Sequence, residues 1–172
     1  GWTLGQTGNI NMAPIHAAAA QVGFAREKTI VKNLASKNPN VRYWAALALT
    51  QLDKIPIQTK RELQKLLNDP SPAVRIESAN TLARHGDPNA VVRVLIKDLT
   101  HENLIIVTHA ARTIELLGAK AFAAKAPMEA ALKRAEKIRP PDLSPVIVLP
   151  GDKDLAMFVA FSCRAFLEKL EK

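Results

Sequence analysis

The chain has 172 residues, with 24 Lys and Arg against 16 Asp and Glu, a formal charge of +8, and 48% apolar residues. It is long enough for a real core and too apolar for global disorder, while aromatics at 5% leave that core to Ala, Leu, Val and Ile. A single Cys excludes an intrachain disulfide framework and a Cys-based zinc cluster, and no apolar run approaches the roughly 20 residues a membrane helix needs.

Residues 1–12, with Trp2, Gly5, Gly8, Asn9 and Asn11, read as an extended arm. No charged, apolar and cleavable leader pattern opens the chain. Beginning at Gly1 without a Met, it reads as a processed or cloned fragment. Residues 13–36 read as a leading helix hairpin, with halves at 14–22 and 24–35.

From there the sequence repeats itself. One unit holds Leu34, Asn38-Pro39-Asn40-Val41-Arg42, Ala45-Ala46, Leu49 and Leu52. The next holds Leu67, Ser71-Pro72-Ala73-Val74-Arg75, Ala79, Leu82 and Gly86. A third holds Leu99, Asn103, Ile106, Ala110-Ala111, Ile114, Leu117 and Gly118. Val41 and Val74 are 33 residues apart, and Val74 and Ile106 are 32 apart. In each first half the apolar residues fall on one face of a 3.6-residue helix. Asn38-Pro39 and Ser71-Pro72 mark helix starts, with Ser71 placed to cap free amides and Pro72 where no donor is needed. Gly86 and Gly118 mark the stops, where a positive φ ends the helix. The second halves are residues 58–68, 88–98 and roughly 120–137. Their apolar faces are Leu63, Leu66 and Leu67; Val91, Val92, Leu95, Ile96 and Leu99; and Phe122, Ala126, Met128, Ala131 and Leu132.

Residues 139–152 hold Pro140, Pro141, Pro145 and Pro150 and read as a stiff non-helical excursion over the end of the array. Residues 153–172 form a closing helix, capped by Asp152 or Asp154, with Leu155, Phe158, Val159, Phe166 and Leu167 as its face. The whole is one domain, with the repeats at 13–138. A hairpin this short cannot bury its own apolar face, so stacked neighbours must do it, with the Ala pairs allowing close approach. The expected fold is therefore an all-α, right-handed α-solenoid of about four helix hairpins with a closing C-terminal helix.

The string Asp69-Pro70-Ser71-Pro72-Ala73-Val74-Arg75, with Ala79 and Leu82, resembles the HEAT repeat of the short PBS-lyase-like subtype over residues 34–137. The longer strings from Val41 through Trp44 to Leu47, and from His109 through Arg112 to Gly118, resemble the helical module at the C-terminus of many bacterial sulfatases of the arylsulfatase and heparan N-sulfatase-like kind. Phe158-Val159-Ala160-Phe161-Ser162 suits that module too. The resemblance implies an accessory domain of an exported enzyme, periplasmic or secreted, that packs on a catalytic domain or holds a sulfated glycan. A chain outside such an enzyme would be cytoplasmic. The catalytic half is absent from the string: Cys163-Arg164-Ala165-Phe166 lacks the Pro and Arg that conversion to formylglycine requires.

The basic excess is uneven: residues 1–60 hold seven Lys and Arg against two acids, the remainder seventeen against fourteen. On second-half helices, Arg61 and Lys65, Arg93 and Lys97, and Lys133 and Lys137 are each four residues apart, so each pair shares a helix face. These six are the candidate binding residues, a basic stripe that reads as a polyanion track. Arg42 and Arg75 follow equivalent turns and read as structural, bonding helix ends. Tyr43 and Trp44 read as packing rather than base stacking, because one aromatic cluster is thin for a strand of nucleic acid. His16, His85, His101 and His109 show no metal-ligand spacing; His85 reads as a helix C-terminal residue. Cys163 reads as a small buried hydrophobe. No catalytic constellation, cofactor loop or metal site is expected. The function implied is a non-catalytic module for interdomain packing or for binding protein or sulfated glycan. The alternatives are a free-standing protein-interaction scaffold and, behind it, a nucleic-acid binder.

Overall fold

A computed structural model describes residues 11–22, 27–86, 88–139 and 152–171. Residues 1–10 of the expected arm (1–12) and 140–151 of the expected Pro-rich excursion (139–152) therefore lie outside the described residues. Among the described residues the chain is helical, with no strand. It divides into two compact units, Gly1–Asp87 and Pro88–Lys172.

The first unit contains α1 (Ala13–Ala19), α2 (Glu27–Asn33), α3 (Pro39–Thr50), α4 (Ile57–Leu66) and α5 (Pro72–Arg84). Helices α1 and α2 pack on α3, α3 on α5, and α4 on α5. The α3–α5 seam is close because small residues line it: Ala45, Ala46 and Ala79 are fully buried. Val41, Leu49, Leu63, Val74, Ile76 and Leu82 fill the core around them, each worth roughly 1.5–3 kcal/mol against exposure.

Polar residues also cross this seam. The Thr50 and Thr81 hydroxyls lie 2.6 Å apart, and Thr81 Oγ1 donates to the Ala46 carbonyl at 3.0 Å. Thr50 Oγ1 stands 3.2 Å from the buried Glu77 carboxylate, which also accepts from Asn80 Nδ2 at 3.2 Å. The apolar periodicity that locates α5 gives no sign of this cluster.

The second unit contains α6 (Pro88–Asp98), α7 (Leu104–Leu117), a 3-10 segment (Gly118–Ala124), α8 (Lys125–Ile138) and α9 (Asp152–Leu170). Helix α6 packs on α7 and on the 3-10 segment, while α9 lies against both α7 and α8. It covers their apolar faces with Ala156, Val159, Ala160, Cys163 and Phe166, and so closes this unit as expected.

The start and stop signals divide instructively. Asn38 caps α3, accepting from Asn40 N at 2.9 Å, and Asn103 caps α7, accepting from Ile105 N at 2.9 Å. Ser71 has the extended cap backbone but makes no side-chain cap bond. The Asp69 carboxylate instead accepts from Ser71 N at 2.8 Å. Gly86 and Gly118 both adopt positive φ, 106° and 54°, as the stop signals require.

Two aromatic placements differ from the sequence expectation. Phe122 is 63% exposed rather than part of a buried face. The helix does not run straight through this stretch: Ala121 leaves helical geometry at φ −103°, ψ 26°, and the buried residues there are Ala121 and Ala124. Phe158 is 49% exposed, because the buried face of α9 runs through Ala156, Val159 and Cys163 instead.

Candidate functional site

The cations divide by what their side chains do. Arg42 is structural: Nε and Nη2 donate to the two Asp69 carboxylate oxygens at 2.7 and 2.8 Å, and Nη1 donates to the Ser36 carbonyl at 2.7 Å. Arg75 Nη1 donates to the Asp69 carbonyl at 2.9 Å, so the equivalent arginine also serves the turn before its helix. Lys60 Nζ donates to the His85 carbonyl at 2.6 Å, placing a cation at the C-terminus of α5, where the helix dipole favours one. His85 is the C-cap of α5, as the sequence reading places it, with Nε2 3.2 Å from the Leu49 carbonyl. In the second unit Arg134 donates to the Leu99 carbonyl, Arg164 pairs with Glu136 at 2.7 Å, and buried Arg139 holds Asp154 at 2.7 Å in the first turn of α9.

The six candidate binding residues are all exposed. Arg61 and Lys65 lie on α4 of the first unit, with Lys65 in an exposed i, i+3 pair with Glu62 at 2.9 Å. Such a pair holds the side chain only weakly. Arg93 and Lys97 lie on α6, and Lys133 and Lys137 on α8, helices whose main packing partners differ. Arg61, Arg93, Lys97, Lys133 and Lys137 make no ion pair among the described residues.

Arg93 opens onto a groove of ≈ 560 Å³ between α6 and the 3-10 segment of the second unit. Its apolar wall is Val92, Ile96, Phe122 and Ala123, and Lys120 joins Arg93 as its second cation. Lys120 was not among the sequence candidates. It stands outside the regular second-half helix, on a segment whose 3-10 geometry carries no periodic signal.

A smaller cleft of ≈ 390 Å³ lies between α7 and α9, lined by Thr108, Arg112, Glu115, Phe158, Phe161 and Ser162 among others. Here Arg112 Nη1 pairs with Glu115 at 2.5 Å and Lys169 Nζ lies 3.4 Å from the same carboxylate. Burial pushes the Glu115 carboxyl up, but Arg112, with help from Ser162 and Lys169, outweighs it and holds the group below its ordinary value. The charges in this cleft are thus spent on one another.

Cys163 is fully buried on α9, its Sγ 3.8 Å from Met128 Sδ. Burial pushes the thiol up to about 12, so it is protonated at neutral pH and a poor nucleophile. Trp44 packs against Ile15, Ala18 and Val41, and meets Tyr43 edge-on with ring centroids 5.5 Å apart. Burial, reinforced by the Glu77 carboxylate, pushes the Tyr43 phenol up to about 12. Both rings therefore serve packing. No group of three or more His, Cys, Asp or Glu placed to hold a metal occurs among the described residues, and no helix there is long and apolar enough to cross a membrane.

A family model described as HEAT repeats matches residues 27–115 and 59–139. Comparison with curated proteins gave no match. Among solved structures, the crystal structure of an engineered protein, a Northeast Structural Genomics Consortium target, is similar at 20% identity with a TM-score of 0.47, over 92% of this chain and 70% of that one.

Proposed function

The chain belongs to the HEAT-repeat family, and from that premise we propose that it is a non-catalytic scaffold that holds an anionic partner on its exposed cations. HEAT repeats serve as interaction surfaces, and one observation about this chain gives the surface its sign. The arginines and lysines needed by the fold are bonded to carbonyls and carboxylates, whereas Arg61, Arg93, Lys97, Lys133 and Lys137 are exposed and carry no ion pair among the described residues. An unpaired cation on a rigid helix gives up only its own hydration on meeting an anion, with no internal partner to break. The buried, protonated Cys163 supports the non-catalytic part of the reading.

The test is retention on heparin at near-physiological ionic strength, roughly 0.15 M. The natural chain should be retained and should elute as salt rises. A variant with Arg61, Lys65, Arg93, Lys97, Lys133 and Lys137 all changed to Gln should flow through with unchanged circular dichroism. Equal retention of the two proteins would sink the reading.

The sulfatase resemblance supports a narrower form, in which the module accompanies a sulfatase domain and the anion is a sulfated glycan or the catalytic domain itself. Its carriers are the strings around Trp44 and Arg112. The coding sequence upstream of Gly1 tests it: a sulfatase domain there is expected, and its absence would remove this form while leaving the scaffold.

A further inference from the structure

The groove between α6 and the 3-10 segment combines two features that a purely electrostatic surface does not need. Phe122 is 63% exposed, a large ring held in water. The break at Ala121 turns this residue out of the buried face while Ala121 and Ala124 take the inward places. Ile96 and Val92 extend the apolar wall beside it. Arg93 and Lys120 line the same groove and have no carboxylate partner among the described residues. An occupant that satisfies both features brings an apolar side chain for the Phe122–Ile96 wall and carboxylates for the two cations.

We propose that this groove docks a partner-protein segment in which one large apolar residue is flanked by Asp or Glu. The proposal rests on the anionic-partner reading above and names the partner class for one of its cations, Arg93. A sulfated glycan would satisfy Arg93 and Lys120 but would leave the apolar wall without a matching surface. A protein segment covers the ring and neutralises the charges together, the usual division between an apolar anchor and a polar rim.

The experiment pans a random displayed peptide library on the full chain and on its Phe122→Ser variant, with Phe122→Leu as the conservative control. Phe122 is exposed, so both variants should keep the circular dichroism of the parent. The full chain should enrich peptides with one bulky apolar residue between acids. Representative peptides should bind the Phe122→Ser variant at least about tenfold more weakly, with Phe122→Leu close to the parent. Arg93→Glu with Lys120→Glu should abolish binding. No enrichment, or enrichment insensitive to Phe122→Ser, overturns the groove assignment. Concentration-dependent dimerisation abolished by Phe122→Ser would also overturn it, by making the occupant a second copy. Heparin retention, read in parallel, separates the two levels: its persistence beside a failed selection removes the groove and keeps the anionic-partner reading.

Discussion

Arg42 spends its guanidinium inside the protein, and the cost of losing it follows from where its partner sits. The side chains of Arg42 and Asp69 are 11% and 4% exposed, and Asp69 also orders the turn by accepting from Ser71 N. Truncating the cation leaves a nearly buried carboxylate with less compensation than the fold supplies. We therefore expect Arg42→Met to lower the free energy of unfolding by about 3 kcal/mol in urea titration. Arg61→Met, at an exposed and unbonded site, should change it by less than about 0.5 kcal/mol. Similar costs at the two sites would show that the structural and free cations are not distinct classes. Gly118 shows a residue-scale constraint of another kind. A Cβ built there meets nothing within 4 Å, so the φ of 54° with ψ of −135° requires glycine for its backbone and not for space.

At the scale of the element, the α7–α9 seam carries a carboxyl whose titration is coupled to holding a helix in place. Glu115 on α7 faces Arg112 on its own helix and Ser162 and Lys169 on α9, and its carboxyl is held below the ordinary value. A carboxyl lowered on folding stabilises the folded chain above its unfolded pKa. That contribution disappears as pH falls through the lowered value. The stability gap between the natural chain and Glu115→Gln should therefore be present at neutral pH and close on acidification below about pH 4. Urea midpoints across pH read it, and a gap that stays constant into acid would contradict the coupling. The elements themselves were largely legible in the sequence. Asn38, Gly86, Gly118 and the Ala pairs act through local backbone chemistry or through size, and both are visible in a string of letters. Phe122 and Phe158 were not legible in the same way. A turn of irregular geometry at Ala121 resets the helical phase before Phe122. A helix packed against two others, as α9 is, buries a face chosen by its neighbours rather than by its largest side chains.

At the scale of the whole molecule the formal charge of +8 is a sum in which many cations are already spoken for. The sequence located the second-half helices and hence the pairs Arg61 and Lys65, Arg93 and Lys97, and Lys133 and Lys137. It could not foresee that Lys60 and Arg134, neighbours of those pairs, end on backbone carbonyls, because those acceptors lie 25 and 35 residues away in the chain. Nor could it set Lys120 beside Arg93, since that depends on how the 3-10 segment packs on α6. Each surviving exposed cation adds to the net charge that a polyanion meets, and net charge adds over its sources more evenly than a contact site does. Neutralising the three pairs one at a time to Gln should therefore lower the salt concentration needed for elution from heparin in three comparable steps. The combined variant should then show about the sum of the three shifts. If one pair alone accounted for the whole loss, the polyanion would be held at a single local site, and the distributed surface would have to be abandoned.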